Sequence, residues 1–238
     1  MTKPHILLLR AAEDAAPMAK HLDAMGLDVT CSALIRFDPL DGAQDTLDAM
    51  PPTADALVLT SPHGLDGLEL PDWVRALPAY CVGNRAQTKL AAHGFHPIHW
   101  HAEVASLISA LERDGITQPL YLRAEHITQP IGGALEVISY RATHLPSLNE
   151  AALEMLNEHS DGLALITSKR MANLFHDQLM QHGMTERKDS LTCFCMSESV
   201  AIHAQQMGFA HCPYATEYTT GAFYQYVEKW CKNNPSEL

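Results

Sequence analysis

Two Thr-Ser pairs end apolar runs in this chain, in "DALVLTSPHG" (55–64) and "DGLALITSKR" (161–170). A serine there can cap the helix that follows, and free backbone N–H groups at such a turn favour anions. Thr60, Ser61, Thr167 and Ser168 are therefore candidate ligand contacts. Gly83-Asn84-Arg85 and Ser197-Glu198-Ser199 form a second pair of turns after apolar runs. Arg10 and Arg123 close "LLLRA" (7–11) and "LYLRA" (120–124), and a planar guanidinium fork suits carboxylates. Tyr140, in "ISYRAT" (138–143), is either a core aromatic with a satisfied hydroxyl or an acid placed at a cleft. The plain alternative makes the serines helix caps and the arginines solvated surface. Matched pairs at the ends of equivalent strands leave both readings open, because strand carboxyl ends are also where doubly wound sheets bind ligands.

Other chemistries find less support. His99 and His101 share a strand face in "HPIHWH" (96–101), but no cysteine or carboxylate cluster accompanies them, so no metal site is expected. The chain lacks Gly-x-Gly-x-x-Gly, a Walker loop and Gly-x-Ser-x-Gly, which leaves dinucleotide, nucleotide triphosphate and serine-hydrolase sites unsupported. A net charge of −12 argues against nucleic-acid binding, though a local cleft can still oppose the global sign. No apolar run approaches the roughly 20 residues of a membrane span. Six scattered cysteines and an N-terminus without a secretory pattern predict reduced thiols in a cytoplasmic protein.

These residues must be positioned by alternating strands and helices. Strands are predicted at Ile6–Leu9, Val29–Ile35, Ala56–Leu59, Ala79–Val82, His96–Trp100, Leu120–Leu122, Leu135–Tyr140, Leu163–Ile166, Leu191–Met196 and Ala210–Tyr214. Amphipathic stretches such as "EDAAPMAKHLDAMG" and "RAQTKLAAHG" lie between them and end at glycine. The class is α/β with parallel sheets covered on both faces.

The chain also repeats itself. The Thr-Ser units echo one another, "YCVGNRAQTKLAAHGF" (80–95) echoes "FCMSESVAIHAQQMGF" (194–209), and "LLLRA" echoes "LYLRA". The three segments recur in cyclic order about 110 residues apart, which predicts two related domains. They are either consecutive or nested. "IRFDPLDG" (35–42) and "YRATHLPS" (140–147) look like extended crossings and suit the nested arrangement.

Taken together, the ordered motifs resemble the uroporphyrinogen-III synthase family. They are Arg10, Thr60-Ser61, "VGNRAQTKLAAHGF", "YLRA", "ISYRAT", "ITS", "SESVAIHAQQMGF" and "TEYTTGAFYQYV". The resemblance implies two flavodoxin-like domains joined by a two-stranded linker, with a cleft between them. One domain would be 1–36 plus 147–238, the other 41–139, with linkers 37–40 and 140–146. It implies cyclisation of hydroxymethylbilane, a linear tetrapyrrole with carboxylate side chains, to uroporphyrinogen III. Water is lost and the last pyrrole ring inverts, without cofactor or metal. Tyr140 matches the family's tyrosine and would donate a proton to the leaving hydroxyl. Arg10, Thr60, Ser61, Gly83, Arg123, Thr167, Ser168, Ser197 and Ser199 would line the cleft and hold carboxylates. The expected partner is this small molecule, with no nucleic acid or membrane, and the expected state is a monomer. The other reading is a non-catalytic paralogue of the same fold that binds a tetrapyrrole or another polyanion. Glu198, beside an anionic ligand, is the residue that favours it.

Overall fold

Leucine-rich runs of four to six residues, bounded by glycine, proline and polar punctuation, form strands rather than helices. The structure, a computed structural model, describes residues 5–159, 162–217 and 219–233. Its strands are β1 (His5–Leu8), β2 (Asp28–Cys31), β3 (Ile35–Pro39), β4 (Leu57–Leu59) and β5 (Ala79–Val82). β6 (Ile98–His101), β7 (Leu120–Ala124), β8 (Leu135–His144), β9 (Leu163–Ile166) and β10 (Thr192–Cys195) follow. The chain divides into two units, Met1–Arg36 with His144–Leu238, and Phe37–Thr143.

In the first unit the sheet order is β10-β9-β1-β2, and every neighbouring pair is parallel. Ile6, Leu7, Leu8 and Leu9 are all fully buried, as a parallel strand covered on both faces requires. One face packs Ile6, Leu8, Leu163, Leu165 and Phe194 against Met18, Leu22, Phe223 and Val227. The last four come from the helices Ala12–Ala24 and Thr220–Asn233.

The second unit carries a sheet of order β3-β8-β7-β4-β5-β6. The β8-β7-β4-β5-β6 part is parallel. β3 runs antiparallel to β8, since Leu40 donates to Ser139 while Leu145 donates to Leu34. Leu57, Leu59, Cys81, Leu122 and Val137 face Ala86 and Leu90 of the helix Asn84–Ala92. The alternate residues Val58, Tyr80 and Tyr121 face Leu107 and Leu111 of the helix Val104–Arg113.

The repeats explain the two strand orders. β1 matches β7, β9 matches β4, and β10 matches β5 by sequence. β2 and β8 each pair with the first member of their unit. Both sheets therefore share one spatial order, although in the second unit the β7–β8 pair comes last in the chain. The shared "HGF" and "MGF" ends fold alike. Gly94 and Gly208 take φ of 82° and 92°, the left-handed region that glycine enters without strain. The next residues, Phe95 and Phe209, donate back to Leu90 and Ala204 and bury their rings.

Some elements depart from the sequence reading. The expected strand Val29–Ile35 is broken: β2 ends at Cys31, and the chain re-enters extended structure as β3. The expected strand Ala210–Tyr214 is reduced to two isolated bridges, Thr192 with His211 and Cys195 with Tyr214. Pro213 between them lacks a donor and lends only its carbonyl, to Cys195 N–H. The segments read as extended crossings are extended over much of their length, in β3 and in β8, which continues to His144. No described helix is long and apolar enough to cross a membrane.

Candidate active site

Parallel strands place their carboxyl ends along one edge of a sheet, and the turns there carry most of the expected site residues. In the second unit β4 runs into Thr60 and Ser61. The Thr60 hydroxyl is already engaged, 2.8 Å from the hydroxyl of the buried Tyr121. Burial pushes the Tyr121 phenol up, with the Thr60 bond opposing. Ser61 Oγ accepts from His63 N–H at 3.3 Å and caps a single 3-10 turn, Pro62–Leu65, rather than a long helix. Gly64 inside that turn has no room for a side chain, since a Cβ would stand 2.8 Å from the Leu122 carbonyl. The turn is thereby pressed onto β7. At the end of β5, Gly83 adopts φ 81° and opens the helix Asn84–Ala92.

Tyr140 lies on β8 opposite Ala124 at the end of β7, where a bulge shifts the register after Arg123. That level is the carboxyl end of the parallel strands, the same edge that carries Thr60, Ser61 and Gly83. The residue is 6% exposed, and its carbonyl accepts from Glu125 N–H at 2.9 Å. Two rings surround it. Phe37 meets it edge-on at 6.0 Å between centroids, and His63 lies tilted at 5.9 Å. Phe37 and His63 stack on each other at 3.8 Å. His63, 4% exposed, has Nδ1 2.7 Å from Asp66 Oδ2, and Lys89 Nζ pairs with the other oxygen of that carboxylate. Burial raises the Asp66 carboxyl, but the hydrogen bonds from His63 and Lys89 outweigh it and hold the group below the usual range. Asp66 is thus ionised at neutral pH, and His63 Nδ1 carries the donated proton.

The two strand-ending arginines are engaged within their own units. Arg123 directs Nε to Glu136 Oε2 at 2.8 Å, and Nη1 to the carbonyls of Ala124 and Glu125 at 2.8 and 3.1 Å. Arg10 lies 3.5 Å from Asp14 and directs Nη1 to Met18 Sδ at 3.1 Å. Burial lowers its pKa, which Tyr224 partly opposes.

The first unit presents the matching turns. Ser168 accepts from Met171 N–H at 3.1 Å and caps the helix Lys169–Gln181. Thr167 precedes it at the end of β9, half-buried. Ser197 accepts from Val200 N–H at 3.3 Å, caps Glu198–Gln206, and lies 3.3 Å from the Ser199 hydroxyl. Glu198 accepts from the Tyr214 hydroxyl at 3.2 Å, and its charge raises the pKa of that phenol.

His99 and His101 belong to a different cluster. His99 stacks on Tyr80 at 4.5 Å, and Tyr80 donates to Asp114 at 2.9 Å. Burial, then the Asp114 bond, pushes Tyr80 up to about 12. Among the described residues no group of three or more His, Cys, Asp or Glu could hold a metal ion.

Sequence reasoning missed the partners of Tyr140. His63 and Asp66 stand inside and just after the quoted Thr-Ser turn, so a three-residue His-to-Asp spacing was the available signal. Phe37 and Lys89 are reached only through folding.

A family model described as uroporphyrinogen-III synthase HemD matches residues 16–225. A mutant uroporphyrinogen III synthase from the extreme thermophile Thermus thermophilus superposes with a TM-score of 0.62 at 11% identity, covering 97% of this chain and 100% of that one. The wild-type Thermus thermophilus enzyme aligns at 12% identity, with TM-score 0.49 and coverage of 97% and 98%. No curated protein matches the chain by sequence. At this identity the first superposition carries the α/β fold, and the family model, spanning most of the chain, carries the membership. The chain belongs to the uroporphyrinogen-III synthase family, the cyclising enzymes of tetrapyrrole and haem biosynthesis.

Proposed function

We propose that Tyr140 is the proton donor in the cyclisation of hydroxymethylbilane to uroporphyrinogen III, and that the strand-end turns hold the substrate's carboxylates. The observation that carries this reading is Tyr140 itself. It is a buried phenol on the carboxyl-end edge of the sheet, walled by Phe37 and His63. A phenol with an ordinary pKa of about 10 is protonated at neutral pH and has a proton to give. That proton goes to the oxygen of the leaving hydroxyl, the C–O bond breaks, and water departs. The cation left behind is of azafulvene type. The last ring attacks through its substituted carbon. The spiro intermediate reopens by breaking that carbon's earlier bond and recloses inverted through the free α-carbon, and the proton that carbon sheds restores the phenol.

Open bilane also cyclises unaided to the uninverted isomer, so holding one conformation matters as much as acid help. Thr60, Ser61, Gly83, Thr167, Ser168, Ser197 and Ser199 supply the hydroxyl and main-chain donors for that holding. Arg10 and Arg123, engaged by Asp14 and Glu136, shape the edge rather than offer a free fork. In this reading the units are two flavodoxin-like domains, 1–36 with 147–238 and 41–139, linked by 37–40 and 140–146. The shared strand order supports it, being the 2-1-3-4 order of that fold. The enzyme acts as a cytoplasmic monomer on a free small molecule, without metal or cofactor.

Isomer analysis of the product from hydroxymethylbilane tests the reading. Wild type yields isomer III, and Y140F lowers that rate about 100-fold while the thermal transition stays sharp. A wild-type protein that leaves only isomer I overturns it.

A further inference from the structure

We infer that His63 is a positioning residue for Tyr140, held by the chain Lys89–Asp66–His63; the inference rests on the reading of Tyr140 given above. A strand tyrosine can still pivot about its side-chain torsions, and an acid misplaced by an ångström loses much of its rate. Tyr140 has a ring on two sides. Phe37 comes from β3 and His63 from the turn after β4, so the two walls belong to different elements. A phenylalanine in place of His63 would also make a wall, but its plane would have no tether. The imidazole has one. Nδ1 is 2.7 Å from Asp66, and Asp66 is shared with Lys89 of the helix Asn84–Ala92. The carboxylate, ionised under these two donors, sets both the tautomer and the plane of the ring. Stacking at 3.8 Å and an interplanar angle of 17° transfers that plane to Phe37.

The turn that carries His63 is rigid for independent reasons. Ser61 accepts its N–H, and Gly64 sits against the Leu122 carbonyl without space for a Cβ. The sequence "TSPHGLD" (60–66) thus places a Thr-Ser pair, a histidine and its carboxylate on one short segment against β7. A helix cap alone needs only the serine. The paired turn at Thr167-Ser168 has Lys169-Arg170 where this one has Pro62-His63, so the histidine belongs to the unit that holds Tyr140.

The test is a pair of variants, H63N and D66A, each made in wild type and in Y140F, with isomer-III formation as the readout. D66A keeps both rings and unties the imidazole, releasing Lys89 with it, so it remains informative where H63N unfolds. Each variant is expected to lower kcat about 10-fold in wild type with KM changed less than about twofold. In Y140F each is expected to change the residual rate by less than about twofold, because the group it positions is already gone. Two results overturn the inference: D66A with wild-type kcat, or D66A losing the same factor in both backgrounds. A wild type without isomer III, or a Y140F as fast as wild type, instead overturns the Tyr140 reading and this inference with it. The two failures are therefore separable.

Discussion

Arg123 Nε lies 2.8 Å from Glu136 Oε2, tying the end of β7 to its parallel neighbour β8. Arg123 pairs in register with Ile138, so Glu136 is its diagonal neighbour on the same face. The remaining guanidinium donors reach the Ala124 and Glu125 carbonyls, just where the ladder shifts register. E136A leaves a largely buried cation without its carboxylate and is expected to cost about 2 kcal/mol in urea denaturation. R123K is expected to lose a similar amount, because an ammonium cannot reach three acceptors in the guanidinium plane. A lysine variant as stable as wild type would show that the fork geometry is immaterial.

Ser168 separates capping from substrate binding. S168A removes the acceptor for Met171 N–H and is expected to cost about 1 kcal/mol. S168D keeps a good cap, since aspartate accepts at the same position, and stability should stay within about 0.5 kcal/mol of wild type. Under the proposed role of Ser168 in holding a substrate carboxylate, the added negative charge repels it, and the KM of S168D is expected to rise at least about 10-fold. An unchanged KM would assign Ser168 to the fold alone.

Stability is expected to fall as the solution is made mildly acidic. Burial, then the charges of Arg113 and His99, lowers the His101 pKa; burial, then Arg170, lowers that of His144. A histidine with a depressed folded pKa binds fewer protons when folded than when unfolded. Its contribution is therefore complete above the ordinary value of about 6.5 and is lost as pH falls toward the folded value. Urea midpoints measured between about pH 7.5 and pH 5 should decline, and H101Q should flatten the slope. An equal slope in H101Q would assign the decline to other groups.

The α/β class, the glycine-terminated helices and the pairing of strands across two copies were legible in the sequence. They rest on local rules: short apolar runs make buried parallel strands, and glycine takes the left-handed cap. The twin Thr-Ser ends were legible for the same reason, since the residues that cap a turn are adjacent in the chain. The break after Cys31 and the loss of a last strand near Pro213 were less legible. Each depends on where a neighbouring strand supplies hydrogen-bond partners, which no local window contains.

By itself the sequence determined the two-copy plan and the strand that carries Tyr140. Tertiary structure decided which side chains that tyrosine meets and which cations are engaged. Arg10 and Arg123 look alike in the chain, but Asp14 lies four residues from one and Glu136 thirteen from the other. Phe37, His63 and Lys89 are far from Tyr140 in sequence, and three strands and a helix bring them to one edge. Periodicity reports which face a residue shares, because the chain's own geometry sets it. Partners across strands follow from sheet order and register, which only the assembled core selects.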